Sequence, residues 1–466
     1  ATLALTDYFV GPKLDKISPL LRKRIYSETV KKILTPIRDT GRYSWLDPSK
    51  RPNNWNPWII SNIIATNLLL EHDEVKRAEN LYQYMKMLDL YINGLGEDGG
   101  CDEGPSYWFA AGASVFDSLD LLDSGTGGRI NIYGEPIIYK MASYIYKMHI
   151  AGNYFVDFAD ADPQFQGDGI VLYRFGKALK DETLTQFGLS LHARNKRVLG
   201  EGFQKPRRLR NLLTLKNLPA ASTYTPPAES WFSDIQVMTA RTTTGLFLAT
   251  HAGNNGESHN HNDVGDFIVY LDGEPLIIDA GRGNYTAKTF SSKRYELWFT
   301  ESQYHNLPII NGIGQSAGEK FAARDVTHTD SSLSMDIAPA YPKEARIESW
   351  KRTVKLDRSR DQITIDDNYS LNAIPTSLLQ VFMTVCDVDI STPGKIVLTT
   401  SSGKRGVLIY DANEWAISSN KPSAEGPEYS SFGEKWNGRP IVRLTFSAKQ
   451  PAAHKTIGFT VSRLER

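Results

Sequence analysis

Two of the nine histidines lie one residue apart, His259 and His261, in the stretch ESHNHNDVGDFIVYLDGEPLIIDAG that runs from Glu257 to Gly281. Imidazoles among Asn, Asp and Glu point to metal ligation, proton transfer, or both. If the segment is extended, residues two apart share a face, and both rings look the same way. An apolar run follows, turns at LDGEP and closes on Asp279, so a hairpin there would return Asp279 to the side of His261. His305, in ESQYHN, can supply a third ligand. Two imidazoles and a carboxylate suit Zn²⁺, with Asn260, Asn262 and Asp263 to orient the rings. The spacing leaves one alternative open, namely hydrogen-bonded turn residues with no metal.

A second stretch, CDEGPSYW, places Asp102, Glu103 and Tyr107 in a Gly-rich loop. Neighbouring carboxylates raise a glycosidase reading, although adjacent side chains diverge and rarely serve as an acid–base pair. A tyrosine side chain ionises near pH 10 when unperturbed, and nearby cations lower that value. Such a phenol can take a proton from carbon and return one to a leaving oxygen; the plain alternative is a packing residue. A third stretch, RPNNWNPWIISN, carries Asn53, Asn54 and Asn56 with Trp55 and Trp58 ahead of an apolar helix. Capping accounts for Asn56, with Pro57 in the first turn. It does not require three Asn and two Trp, which can instead bind a substrate carboxylate and offer a sugar platform.

These residues need elements to position them. The first ~200 residues repeat apolar positions three and four apart, as in SNIIATNLLLEHDEVKRAENLYQYMKMLDLYINGL, and predict paired helices with Gly-, Asn- and Asp-rich loops between them. From about Trp231 the pattern alternates like strands separated by short turns, which favours antiparallel sandwiches. The expected architecture is multidomain α + β: an α/α toroid or solenoid over 1–215, a central antiparallel β-sandwich over 216–383 and a small β-domain over 384–466.

The chain has 466 residues, too many for one core, and its 53 basic residues balance 53 acidic ones. That balance argues against general attraction to nucleic acid or membrane, though not against a local cationic groove. Cys101 and Cys386 are too few and too far apart for a disulfide framework. No apolar run reaches the ~18 residues of a membrane span, and no signal-peptide pattern is present. The oligomeric state is not legible.

Taken together, the three stretches, with AYPKEARIESWKRTVKLDRSRDQITIDDNYSL further on, resemble the heparinase II/III-like polysaccharide lyases, in the expected order from about Arg51 to Leu371. The resemblance implies an α/α toroid followed by β-sandwich, an active cleft between them, and cleavage of an acidic, uronic-acid polysaccharide by β-elimination. It implies Tyr107 and His259 as the acid–base residues. Asn53 or Asn54 would neutralise the substrate carboxylate, with Arg294 near the cleft. Trp55, Glu103, Glu257 and Tyr285 would contact substrate, and His261, Asp279 and His305 would hold a structural zinc. It also implies a periplasmic or secreted protein. Two departures stand out. Trp55 follows Asn54 where some members carry histidine, and the helical part is shorter than a full toroid, so further helices are expected upstream. The competing readings are a glycoside hydrolase using Asp102 or Glu103, and a polysaccharide-binding protein without chemistry.

Overall fold

The computed structural model describes residues 1–40, 43–47, 49, 53–196, 202, 204–423 and 425–464. The chain forms two compact units, one of residues 1–101, 106–146 and 166–225, the other of 102–105, 147–165 and 226–466.

The first unit is helical. Several of its helices start where an aspartate caps the exposed amides: Asp73 accepts from Val75 N and Lys76 N, and Asp168 from Ile170 N and Val171 N. The helix Trp55–Leu70 buries Ile60, Ile63, Ile64, Ala65 and Leu70 and runs through the core. Asn56 does not cap it. It lies inside the helix, fully buried, and its Nδ2 donates to Trp45 O at 3.2 Å and Met87 O at 2.9 Å. The cap position belongs to Asn54, whose side chain makes no cap bond, while Asn53 Oδ1 accepts from Trp55 N at 3.0 Å. The helices Gly169–Leu179 and Glu182–Asn195 approach closely because glycines face each other. A Cβ on Gly169 would lie 2.3 Å from Gly188 O, and one on Gly188 would lie 2.4 Å from Tyr173 N. No described helix is long and apolar enough to cross a membrane.

The second unit is antiparallel β. A five-stranded sheet runs in the order Glu229–Phe232, Val237–Arg241, Leu246–His251, Phe267–Leu271 and Glu274–Ile277. Two two-stranded pairings, an eight-stranded sheet and a four-stranded sheet are also present among the described residues. Their facing side chains, among them Phe267, Val269, Trp350, Ile365, Phe382, Phe446 and Phe459, form one buried core. Arg352 is fully buried beneath it, where it is neutralised by both oxygens of Asp367 at 2.8 and 2.7 Å and donates to Gly265 O and Asn306 O.

The expected boundary at 383/384 does not separate two domains. His454–Arg463 pairs with Gln362–Leu371 on one side and Arg405–Ile409 on the other, so strands from both sides of that boundary share one sheet. A C-terminal strand that closes an earlier sheet is a long-range pairing, and local composition carries no mark of it. Membership in the second unit also extends upstream, to 102–105 and to 147–165, where a short hairpin, His149–Ala151 with Tyr154–Phe155, interrupts the helices.

Candidate active site and metal centre

The hairpin read from LDGEP is present: Phe267–Leu271 pairs with Glu274–Ile277, with Leu271 opposite Glu274. Asp272 and Gly273, at φ 50° and 79°, make the tight turn that Asp-Gly favours. Asp279 follows two residues after the returning strand, and its Oδ1 accepts from Gly281 N at 2.7 Å.

The histidines reach the site differently from the expectation. Residues 257–265 are not a strand, and His259 itself sits at φ 58°, a left-handed conformation uncommon for a side chain of this size. The rings converge because both bind Asp160, not because alternation aims them. His259 Nδ1 lies 2.8 Å from Asp160 Oδ2, and His261 Nε2 lies 3.1 Å from Oδ1. Tyr285 Oη donates to the same Oδ2 at 3.1 Å, and Arg294 Nη2 to Oδ1 at 2.8 Å. Arg294 also holds the loop itself, through His259 O at 2.9 Å and Asn260 O at 3.0 Å. Burial alone would raise the Asp160 carboxyl, but His259, His261 and Arg294 outweigh it and hold it well below the usual carboxylate range.

Beside this group, ligand atoms of His261, Asp263, Asp279 and His305 all lie within 4.8 Å of one another, and all four residues are buried. His261 Nδ1 and His305 Nε2 lack a hydrogen-bond partner among the described residues, while Asp279 Oδ2 and Asp263 Oδ2 make only ionic contacts, at 3.2 Å to His305 Nδ1 and 3.5 Å to His251 Nε2. Leaving two imidazole nitrogens unmatched beside two carboxylates in a protein interior is costly unless something binds them. Two imidazoles and two carboxylates suit a divalent cation of the zinc type. His305 is oriented by Nδ1 contacts to Asp279 at 3.2 Å and Asp266 at 3.3 Å. Burial would lower the His305 pKa, but Asp279 and Asp266 raise it well above the ordinary value. Burial, with the nearby charge of Asp279, raises the carboxyl of fully buried Asp157 well above the usual range.

Sequence reasoning placed His261, Asp279 and His305 together, and the fold does so. It gave Asp263 a supporting part, whereas the fold offers it as a fourth ligand. Asn260 and Asn262, expected to orient the rings, instead meet each other at 3.5 Å, and Asn260 Nδ2 reaches Tyr295 Oη at 3.4 Å. Asp160 and Asp266 do the orienting. Asp160 lies in VDFADAD, a run with no motif; the break in helical pattern at residues 149–155 was the available signal.

Of the remaining candidates, Tyr285 and Arg294 join His259 at Asp160. Glu103 is buried in the short segment 102–105, where a Cβ on its neighbour Gly104 would lie 2.6 Å from Ala161 Cβ. Asn53, Asn54, Trp55 and Tyr107 belong to the helical unit. Trp55 is 54% exposed, and Tyr107 is half-buried in the turn Pro105–Trp108.

Glu257 Oε1 accepts from Asn254 N at 3.2 Å, and burial pushes its carboxyl up to about 7 against the opposing charge of His251. A folded pKa above the unfolded one means stability present below about 4.5 is lost as pH rises towards about 7. Glu257→Gln should therefore remove that loss, gaining on the order of 1–2 kcal/mol over wild type at pH 8 after allowance for solvent screening. Urea unfolding at pH 4 and pH 8 checks it, and an equal difference at both would contradict it.

The sequence profile described as Heparinase II/III-like, C-terminal, matches residues 226–457. No curated protein matches the sequence. Among solved structures, heparan sulfate lyase HepC from Pedobacter heparinus matches with TM-score 0.68 at 12% identity, covering 96% of this chain and 64% of its own. A heparinase III, the BT4657 gene product, matches with TM-score 0.66 at 14% identity, over 87% of this chain and 58% of its own. Chondroitin AC lyase from Streptomyces coelicolor A3, in complex with chondroitin sulphate, matches with TM-score 0.50 at 10% identity, over 96% and 72%. The chain thus spans less than two thirds of the heparinase III and HepC structures. These likenesses establish the fold, a helical region followed by antiparallel β-sheets.

Proposed function

We propose that this chain, which belongs to the heparinase II/III-like family, is a polysaccharide lyase that cleaves a uronic-acid polymer by β-elimination. The observation that carries the reading is His259: its side chain is 20% exposed, its Nδ1 is engaged by buried Asp160, and it stands next to a buried metal-type cluster.

In β-elimination the proton on sugar C5 leaves to a base. Its electron pair forms the C4–C5 double bond, and the C4–O bond breaks with its pair going to oxygen, which takes a proton. Charge builds on the neighbouring carboxylate, so groups that bind it more tightly in the transition state accelerate the step. Asn53 and Asn54 amides are assigned to that carboxylate. Tyr107 protonates the leaving oxygen and serves as base when proton and leaving group lie on one face. His259 Nε2 is the base when they lie on opposite faces. Arg294 supports this by holding the His259 loop. Exposed Trp55 and half-buried Tyr285 are assigned as sugar platforms. Zinc held by His261, Asp263, Asp279 and His305 would act as a structural clamp on the hairpin and loop. A glycosaminoglycan or a related uronate polymer outside the cytoplasm fits as substrate. The hydrolase alternative is less favoured, because Glu103 is only 5% exposed.

Screening heparan-, chondroitin-, hyaluronan- and alginate-type polymers tests this. At least one should yield products with the ultraviolet absorbance of a C4–C5 unsaturated uronate. Binding without turnover across the panel would instead support a binding protein.

A further inference from the structure

Asp160 is fully buried and meets four donors. Oδ2 takes His259 Nδ1 at 2.8 Å and Tyr285 Oη at 3.1 Å, while Oδ1 takes His261 Nε2 at 3.1 Å and Arg294 Nη2 at 2.8 Å. An ionised carboxylate is acceptor-only, with about four lone-pair sites, and matches this demand. We propose that Asp160 is a positioning residue that joins the two halves of the site, one oxygen holding the metal-ligand ring of His261 and the other the acid–base ring of His259.

The geometry fixes both tautomers. His261 donates its Nε2 proton to Asp160, which leaves the Nδ1 lone pair for a cation, and Nδ1 is the atom found without a partner. His259 donates its Nδ1 proton, which leaves the Nε2 lone pair for chemistry. Arg294 fastens the backbone of His259, at its left-handed φ of 58°, to the same carboxylate. Occupancy of the metal site and orientation of His259 are then linked through one side chain. The catalytic job of His259 rests on the lyase reading; the linkage does not.

The test uses full-length protein with ¹⁵N-labelled histidine and added zinc, the His259 signals being identified through His259→Gln. The expected spectrum has His259 protonated at Nδ1 and bare at Nε2, and stripping zinc with a chelator should change those signals. An Nε2-protonated His259, or His259 signals indifferent to zinc removal, would overturn the proposal without any activity measurement. Asp160→Asn offers one acceptor oxygen and turns an NH₂ towards the other donors, so it can hold only one ring. Its kcat should fall about 10²–10⁴-fold with KM little changed, zinc affinity should weaken about 10–100-fold, and Asp160→Glu should recover part of both. Wild-type kcat and zinc affinity in Asp160→Asn would also overturn it. If wild type cleaves no polymer while the spectra behave as expected, the lyase reading fails and the linkage stands.

Discussion

Tyr107→Phe should lower kcat by about 10³-fold or more, the upper part of the range for acid–base groups, while the fold survives. The loss is large because one hydroxyl is assigned both to the leaving oxygen and, for one stereochemistry, to the C5 proton. Phe keeps the ring and removes only the proton-transferring atom, so the change reads chemistry more than packing. The turn that carries Tyr107 is fixed by other groups. Its carbonyl accepts from Ala110 N at 2.9 Å and Ala111 N at 2.8 Å. Trp108 Nε1 donates to Met141 O at 2.8 Å, and Gly112 leaves room for that indole, since a Cβ there would lie 2.5 Å from Nε1. Arg207, buried and paired with Asp117 at 2.7 Å, donates to Phe109 O at 2.9 Å. Thermal unfolding should accordingly place the variant within a few degrees of wild type. Steady-state kinetics on a polymer that wild type cleaves checks the first half, and full activity would remove Tyr107 from the mechanism.

His261→Ala should lose metal and stability together. It removes one ligand, and it leaves Asp263, Asp279 and His305 facing one another in a buried pocket with a weakened hold on the ion. It also strips Asp160 of a donor at 3.1 Å. Breaking a buried charged network by removing one partner typically costs about 3–5 kcal/mol, to which lost metal binding adds. For a unit of this size that corresponds to a fall in melting temperature of roughly 10 °C or more. Asp263→Asn should act in the same direction without touching Asp160, and chelation of wild type should reproduce much of the fall. Elemental analysis alongside calorimetry checks it. Unchanged zinc content in His261→Ala would contradict the ligand assignment.

Much of this was legible in sequence for local reasons. Asp272-Gly273 between two apolar runs specifies a hairpin, and the hairpin carries Asp279 back towards His261 and His305. The change from three- and four-residue spacing to alternation near Trp231 marks the passage from helices to sheets. What was not legible is non-local. Asp160 lies about a hundred residues from the histidines it holds, in a segment of plain composition. His259 escapes the strand rule because its own backbone is left-handed and tied by Arg294. Asp263 read as a supporting residue because spacing does not separate a ligand from its neighbour in a turn. His454–Arg463 inserts into a sheet whose first strand starts far upstream at Arg324, which no local boundary announces. Asn56 is the second residue of its helix, two positions past the Asn54 cap, and its buried amide ties the helix to Trp45 and Met87.

The most direct test of the central claim, elimination and not hydrolysis, is cleavage of a turned-over uronate polymer in oxygen-18 water with mass analysis of the products. Elimination predicts products whose masses sum to that of the substrate, no heavy oxygen at the new ends, and one unsaturated uronate per bond broken. Saturated products that have gained one labelled oxygen per cleavage would contradict it.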